Sequence, residues 1–596
     1  MSLKLCIFAD LDVMPWQRRA SLRTIHKEQV MKLIPLGMTL SAALALGGCM
    51  SDSSSVGATR TQTGDEAAAS QVAVKMIAFN DFHGNLEAPG TLAIPDPKDP
   101  SKTVKVTAGG VDYLAAWVKQ LRAQSPNTVV VSAGDLIGAS PLVSGLFHDE
   151  PTIEAMNLLG LDINAVGNHE FDDGQDELLR MQNGGCKAGG GDTTCQNGGS
   201  FAGAKFKFLA ANVQKQDGGT LFPAYEIKKY GNIPVAFIGM TLKGTPDIVS
   251  PTGIQGLSFK DEADTVNALV PKLKAQGVAA VVVVVHEGGY QSGNYNECKG
   301  ISGPIVDIVK KLDKAVGLVV TGHTHQAYNC QIDGRTVTSA KNYGQLFTEI
   351  NFKLSPATRT FVPGSIQAVN RPVTQDIAPL ASISSLVQFY LTKAAPIANK
   401  PVGTLAGALT RTASAAGEST LGDVLADSQL DAGRAQGAVA AFMNPGGIRA
   451  DLAPAADGSI SYKQIYTVQP FGNTMMTMTL TGAQIDRLLE QQWSNPSQPK
   501  ILQVSSGFSY SWSQSAPAGS KVDINSITIN GVKIDPAASY TVQVNNFIAG
   551  GGDGFTVLTE GGNRVGGGVD VDVLQSYLAK HANLPVPALN RIVQLP

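Results

Sequence analysis

The sequence predicts an α/β protein with more than one domain, and three observations carry that expectation. Short apolar runs such as Val281-Val282-Val283-Val284-Val285 alternate with helical patterns such as Val111 to Leu121 and Asp264 to Gln276. That alternation is the signature of buried sheet covered by helices. A chain of 596 residues is too long for one core, so two or three domains are expected. Finally, His83, His169, His286, His323 and His325, five of the 8 histidines, all fall in polar loops that directly follow apolar strands.

Composition narrows the class. Charged residues are 16% of the chain and the net charge is −3. Ordinary proteins carry about a quarter charged residues, and no global basic field exists here to attract a nucleic acid polymer. An anionic substrate needs a local arginine cluster instead.

The chain opens on a targeting segment. Met31-Lys32 precedes the apolar run Leu33 to Leu46, which is short for a bilayer span but suits a signal peptide. The run ends in Leu46-Gly47-Gly48-Cys49, which resembles a lipoprotein cleavage box. Residues 1–49 are therefore expected to be a signal with lipidation at Cys49. The expectation is an exported, periplasmic or cell-envelope lipoprotein that meets the membrane only through that anchor. Residues 1–30 carry Arg18, Arg19 and Arg23 and do not read as part of this signal, so Met31 is an alternative start. Residues 50–71, rich in Ser, Thr, Ala and Gly, read as a flexible tether. Export makes Cys186, Cys195, Cys298 and Cys330 candidates for disulfides. The local pairs Cys186–Cys195 and Cys298–Cys330 are expected, although four cysteines allow three pairings.

Five strand-then-loop stretches follow in order. Val74 to Phe79 leads into Asn80-Asp81-Phe82-His83-Gly84, and Val129 to Ala133 into Gly134-Asp135. Leu161 to Val166 leads into Gly167-Asn168-His169-Glu170-Phe171-Asp172. Val281 to Val285 leads into His286-Glu287-Gly288-Gly289, and Gly317 to Val320 into Thr321-Gly322-His323-Thr324-His325. The C-terminal ends of strands are where α/β folds place their chemistry. Asn168 offers a neutral oxygen to a metal, and His169 is the group in its loop able to move a proton near neutral pH. Asp172, three residues on, can accept from the imidazole and orient it. Mixed imidazole and carboxylate ligands favour Zn, Mn, Co or Fe over Ca or Mg. Asn212, at the end of another strand, reads as structural. No Gly-x-Ser-x-Gly elbow or Walker loop is present, which leaves a serine hydrolase or P-loop enzyme without support.

Residues 72–370 thus form a first domain. The 371–400 segment is a linker, with Ile377 to Ala398 helical in pattern and Pro372, Pro379 and Pro396 around it. A second domain, 401–596, carries its own signals. Glu418 to Asp427 starts a helix that Ser419 or Thr420 can cap. In Asn444-Pro445-Gly446-Gly447-Ile448-Arg449 the glycines let backbone N–H groups approach a ligand, and Arg449 can hold phosphate or ribose oxygens. Arg411 is a weaker candidate for the same cluster. Pro470-Phe471-Gly472-Asn473 and the stretch Asn545 to Phe555, with Phe547 and Asp553, each set a Phe among small residues. Such a Phe suits stacking on a base, and Asp553 can accept from a ribose hydroxyl or base amine.

At these residues the chain resembles the calcineurin-type metallophosphoesterases, and its second half narrows the resemblance to the bacterial 5′-nucleotidase family, which includes UDP-sugar hydrolases. The resemblance spans about residues 72 to 596. It implies an N-terminal four-layer αββα metallophosphoesterase sandwich plus a C-terminal α/β substrate-binding domain, joined by a helix. It assigns Asp81, His83, Asp135 and His325 to one divalent ion and Asp135, Asn168, His286 and His323 to a second, with Asp135 bridging. His169 and Asp172 resemble the family's catalytic dyad. Arg411, Asn444, Arg449, Phe471, Asn473, Phe547 and Asp553 are the substrate-binding candidates, and the Glu418 turn is placed beside the cleft.

The function implied is an exported, dimetal-dependent 5′-nucleotidase acting on nucleoside 5′-phosphates, with UDP-sugars and nucleoside di- or triphosphates as further substrates. A 2′,3′-cyclic-nucleotide phosphodiesterase with 3′-nucleotidase activity uses the same residue types. A thiosulfate-oxidation hydrolase shares the metal motifs, but the paired Phe residues and Asp553 favour a base. A non-catalytic nucleotide-binding or adhesion lipoprotein is the reading of another class, and the intact ligand set with His169–Asp172 speaks against it.

Overall fold

The protein is described by a computed structural model, which covers residues 71–96 and 98–596. The expected signal segment, Cys49 and the tether through residue 70 lie outside the described residues.

Two six-stranded sheets organise the first half. One runs in the order Gln367–Pro372, Leu346–Leu354, Val72–Phe79, Thr128–Ser132, Ile163–Ala165, Lys207–Leu209. The other runs Ala327–Ile332, Arg335–Ala340, Val316–Thr321, Ala280–His286, Ile233–Thr241, Tyr225–Tyr230. In the first sheet the strands from Val72–Phe79 through Lys207–Leu209 pair in parallel and the other two pairings are antiparallel; in the second the three central pairings are parallel and the two edge pairings antiparallel. Side chains alternate between two buried faces, which is why these strands read as continuous apolar runs. On Val72–Phe79, Met76 and Ala78 enter the core between the sheets, together with Val131, Phe237, Val284 and Val320. Ile77 and Phe79 face the outer layer with the helices Val111–Arg122, Glu150–Leu159 and Ala381–Ala398. Helices Glu262–Ala275 and Pro304–Lys311 cover the far side of the second sheet. The layering is the expected αββα sandwich.

The expected cystines form, Cys186–Cys195 and Cys298–Cys330, with Cα atoms 5.4 and 5.0 Å apart. The connecting helix begins at Ala381 rather than Ile377. Pro379 accounts for the later start, because the residue before a proline is disfavoured in helical conformation.

The second half is built on a five-stranded sheet in the order Gln503–Val504, Ala440–Met443, Ser539–Asn545, Thr474–Thr481, Gly562–Val569. Thr420–Gly433 packs on it, capped by Ser419, whose side chain accepts from the Gly422 amide. No residue of the turn before this helix lines the cavity described below. Glu418 is buried and accepts from the backbone amides of Asn590, Arg591 and Ile592, while Arg591 grips Asp427 through two hydrogen bonds.

Candidate active site

Five of the expected metal-binding residues sit in left-handed backbone: Asp81 (φ 49°), His83 (46°), Asp135 (49°), His323 (71°) and His325 (53°). Each such residue costs about 1–3 kcal/mol, and clusters of them mark functional loops. The motif glycines are required by close approach. A Cβ on Gly134 would lie 2.6 Å from His286 Nδ1, and one on Gly167 2.2 Å from Asp135 Oδ1.

The loops bring two donor groups together. In the first, Asp81, His83 and His325 converge, with His83 Nε2 and His325 Nε2 3.2 Å apart and His325 Nε2 3.4 Å from Asp81 Oδ1. In the second, Asp135 joins His286 and His323, and Asn168 Oδ1 lies 3.2 Å from His286 Nε2 and 3.0 Å from His323 Nδ1. Asp135 Oδ2 is 3.0 Å from His286 Nε2 and 3.6 Å from His83 Nε2, so one carboxylate oxygen sits between the two groups. His83 Nδ1 meets the Gly138 carbonyl at 2.8 Å and His286 Nδ1 the Ala133 carbonyl at 2.7 Å. Donating there leaves each Nε2 lone pair facing inward, the tautomer a metal ligand needs. The donor chemistry fits two divalent ions.

His169 adjoins both groups and, with His83 and Asp135, forms a third set of donors close enough to hold an ion. Its Nδ1 is 2.9 Å from Asp172 Oδ2, and its backbone amide donates to Asp135 Oδ1 at 2.9 Å.

A cavity of about 590 Å³ opens over these groups. Asn168, His169, Asp172 and His323 line it from the first half; Asn444, Arg449, Phe471, Asn473, Phe547 and Asp553 line it from the second. Arg411 is the substrate-binding candidate the structure does not bring there: its side chain reaches the Ile448 carbonyl and lies 3.6 Å from Asp451. Phe471 is not free for a base on both faces. It stacks on His169, ring centroids 5.6 Å apart and planes 16° apart, and the Arg449 guanidinium lies 5.7 Å from its centre.

Residues 74–327 match the family model for calcineurin-like phosphoesterases, and residues 401–560 match the model for the 5′-nucleotidase C-terminal domain. The chain belongs to the calcineurin-like phosphoesterases that carry a 5′-nucleotidase C-terminal domain. It is 34% identical over 500 residues to Endonuclease YhcR of Bacillus subtilis, covering 84% of this chain and 38% of that one. It is 30% identical over 539 residues to the cell wall protein Lmo0130 of Listeria monocytogenes, covering 84% of this chain and 66% of that one. The chain spans less than two thirds of the length of these first two curated relatives it matches. Among solved structures, the 5′-nucleotidase precursor of Thermus thermophilus superposes with a TM-score of 0.71 at 27% identity, covering 88% of this chain and 99% of that chain. No helix among the described residues is long and apolar enough to cross a membrane.

The electrostatics of this calcineurin-like site follow from burial and mutual contact. Burial pushes the Asp135 carboxyl up, but His286 and His169 outweigh it and hold it well below the usual range. Burial pushes His83 well down, and burial with the neighbouring His286 takes His323 to about 3. Both imidazoles are therefore neutral and able to offer lone pairs. Against its burial, His286 is raised to about 10 by Asp135. His169 is likewise raised against its burial, first by Asp172 and then by Asp135.

Two residues of consequence were not picked out from the sequence. Glu170 is buried, and its carboxylate accepts from the amides of Asp135 (3.0 Å), Leu136 (2.8 Å) and Gly167 (2.6 Å). It thereby ties the Asp135 loop to the Asn168 loop, and burial raises it to about 7. Its place inside the Asn-His-Glu run was the available signal. Lys500 Nζ donates to Asp553 Oδ1 at 2.7 Å. It lies in a polar stretch with no motif, so the sequence offers no signal for it. Asn212 is structural, as expected: its amide bonds Thr241 and Lys260 backbone groups.

Proposed function

We propose that this protein is an exported 5′-nucleotidase. It uses two divalent ions to hydrolyse nucleoside 5′-phosphates to nucleoside and phosphate, with UDP-sugars and nucleoside di- and triphosphates as further substrates. The observation that carries the reading is the single cavity lined by His169–Asp172 on one side and by Arg449, Phe547 and Asp553 on the other. In this reading 72–370 supplies the metal residues, 401–596 supplies the base-binding residues, and 371–400 links them. The two cystines suit an oxidising compartment, and lipidation at Cys49 is part of the same proposal.

Asp81, His83, Asp135 and His325 would hold one ion, and Asp135, Asn168, His286 and His323 the other. Such a pair, drawn from Zn, Mn, Co and Fe, supplies Lewis acidity to phosphoryl oxygens and lowers the pKa of water. This chain's residues do the rest. Asp172 keeps a proton on His169 Nδ1 and stabilises the imidazolium, so that Nε2 can donate to the leaving 5′-oxygen. Arg449 holds phosphate or ribose oxygens. Phe547 stacks on the base, Phe471 offers the face that His169 leaves open, and Asp553 and Asn444 accept and donate at the ribose. Asn473 lines the base end.

The test is phosphate release by the full chain loaded with Mn, Co or Zn. Its substrates are nucleoside 5′-monophosphates, UDP-glucose, a 2′,3′-cyclic nucleotide, a single-stranded oligonucleotide and a base-free phosphate ester. Preferred release from 5′-monophosphates is expected. Preference for the cyclic nucleotide would favour the 2′,3′-cyclic phosphodiesterase reading, and no release with any metal would favour a binding protein.

A further inference from the structure

The cavity is lined by a second cation, Lys500, to which the proposed handling of a 5′-monophosphate gives no role. Arg449 and Lys500 are the only arginine and lysine among the residues lining it. Arg449 lies against Phe471, which stacks on His169. Lys500 belongs to the ribose end, where its Nζ donates to Asp553 Oδ1 at 2.7 Å while Asp553 Oδ2 accepts from Asn444 at 2.7 Å. An ammonium has three donors, and among the described residues Asp553 is the one side chain that takes any of them.

The lysine is held in place. Its backbone amide donates to the Gln492 carbonyl at 2.9 Å, and the buried Gln492 side chain accepts from the Leu502 amide at 2.6 Å. Neutral donors Gln491, Ser494, Asn495 and Gln498 line the same wall.

The charge balance has a consequence. A lone carboxylate at Asp553 would accept ribose hydroxyls and repel any anion attached to them. Paired with Lys500, the same group is neutral overall, and the remaining ammonium donors attract an anion. Asp553 has 9% of its side chain exposed and Lys500 36%, so the ammonium is open to a ligand from the cavity while solvent partly screens its charge.

We infer that Lys500 forms an anion subsite for a second, non-reacting phosphate on a ribose secondary hydroxyl of a nucleoside 5′-phosphate. The inference rests on the 5′-nucleotidase reading. The same chemistry has two sources: a nucleoside 3′,5′-bisphosphate, and the 5′-phosphorylated end of an oligonucleotide, whose first linkage is a 3′-phosphodiester.

The experiment compares kcat/KM of wild type, K500M and K500R on three substrates that share one base: the 5′-monophosphate, the 3′,5′-bisphosphate and the 5′-phosphorylated dinucleotide. Wild type is expected to use the bisphosphate at least as well as the monophosphate. K500M is expected to lower the bisphosphate-to-monophosphate ratio roughly tenfold to a hundredfold, mainly through KM, and K500R to keep it within a few fold. A parallel loss on the dinucleotide assigns oligonucleotide ends to the subsite as well; a loss confined to the bisphosphate assigns the free bisphosphate. An unchanged ratio in K500M overturns the subsite, as does a wild type that hydrolyses the monophosphate and rejects both larger substrates. A measurement on wild type alone covers the case of a misfolded variant: a nucleoside 3′-monophosphate should inhibit at least about tenfold better than the nucleoside, and equal inhibition overturns the subsite. If no 5′-phosphate is hydrolysed at all, the nucleotidase reading falls, and direct binding of the 3′-monophosphate against the nucleoside still decides the subsite.

Discussion

Asp135 is the residue whose loss should be felt most widely. One of its oxygens sits between His83 and His286 and the other receives the His169 amide, so it touches both donor groups and the dyad. D135N is expected to lower turnover by several orders of magnitude with loss of bound metal, read by kinetics and metal analysis on the same sample. His169 is attached differently. It meets the cluster through its amide and an edge-on contact with the His83 ring, so H169N should keep both metals yet lower kcat by about 10²–10⁴. Metal loss in H169N would instead make it a ligand. At this scale much was legible, because a histidine or aspartate that directly follows an apolar run is recognisable without coordinates. What was not legible depends on partners far away in the chain. Glu170 looks like any loop carboxylate until Asp135, Leu136 and Gly167 are seen to donate to it. Arg411 looked like a ligand-binding arginine, but Asp451 and the Ile448 carbonyl occupy it.

Among the elements, the helix Thr420–Gly433 carries an ionisable group with no part in the chemistry. Asp423 is fully buried beside Glu418, and Arg591 Nε lies 3.6 Å from its Oδ2. Burial, against the pull of Arg591, raises this carboxyl to about 8. A carboxyl raised in the fold favours the folded state while it is protonated. That contribution is complete below the ordinary carboxyl range and is lost as pH rises to about 8. D423N should therefore melt higher than wild type at pH 9 and differ little at pH 4, measured by thermal unfolding across that range; a constant difference would refute the assignment. Element boundaries also show where pattern reading stops. Strands buried on both faces were evident as valine runs, while the sequence left three cystine pairings open, of which the local one forms. The connecting helix started four residues late because Pro379 holds Ala378 out of helical geometry. Glu418 anchors the last strand, Ile592–Leu595, through backbone amides of residues 590–592 that no local pattern announces.

At the scale of the whole molecule, the αββα sandwich and the second α/β half were legible from alternating strand and helix patterns and from family motifs in each half. How the two halves share a cavity was not, because it depends on contacts between residues several hundred positions apart, such as Lys463 of the second half with Glu87 of the first at 2.6 Å. The two Phe loops, alike in sequence, also part company here. Phe471 rests on His169, while Phe547 packs near Gly552 and Asp553. F471A should consequently slow every substrate, since it removes packing from the dyad. F547A should cost roughly 1–3 kcal/mol of base binding and spare a substrate that has no base. The most direct measurement is the ratio of kcat/KM for a nucleoside 5′-monophosphate to that for a base-free phosphate ester, in wild type and in F547A. If one nucleotide is bound by both halves at once, the ratio should fall about tenfold to a hundredfold in F547A, with the base-free ester nearly unchanged. An equal loss on both substrates, or no loss on the nucleotide, would contradict a nucleotide site shared between the metal-bearing and base-bearing halves.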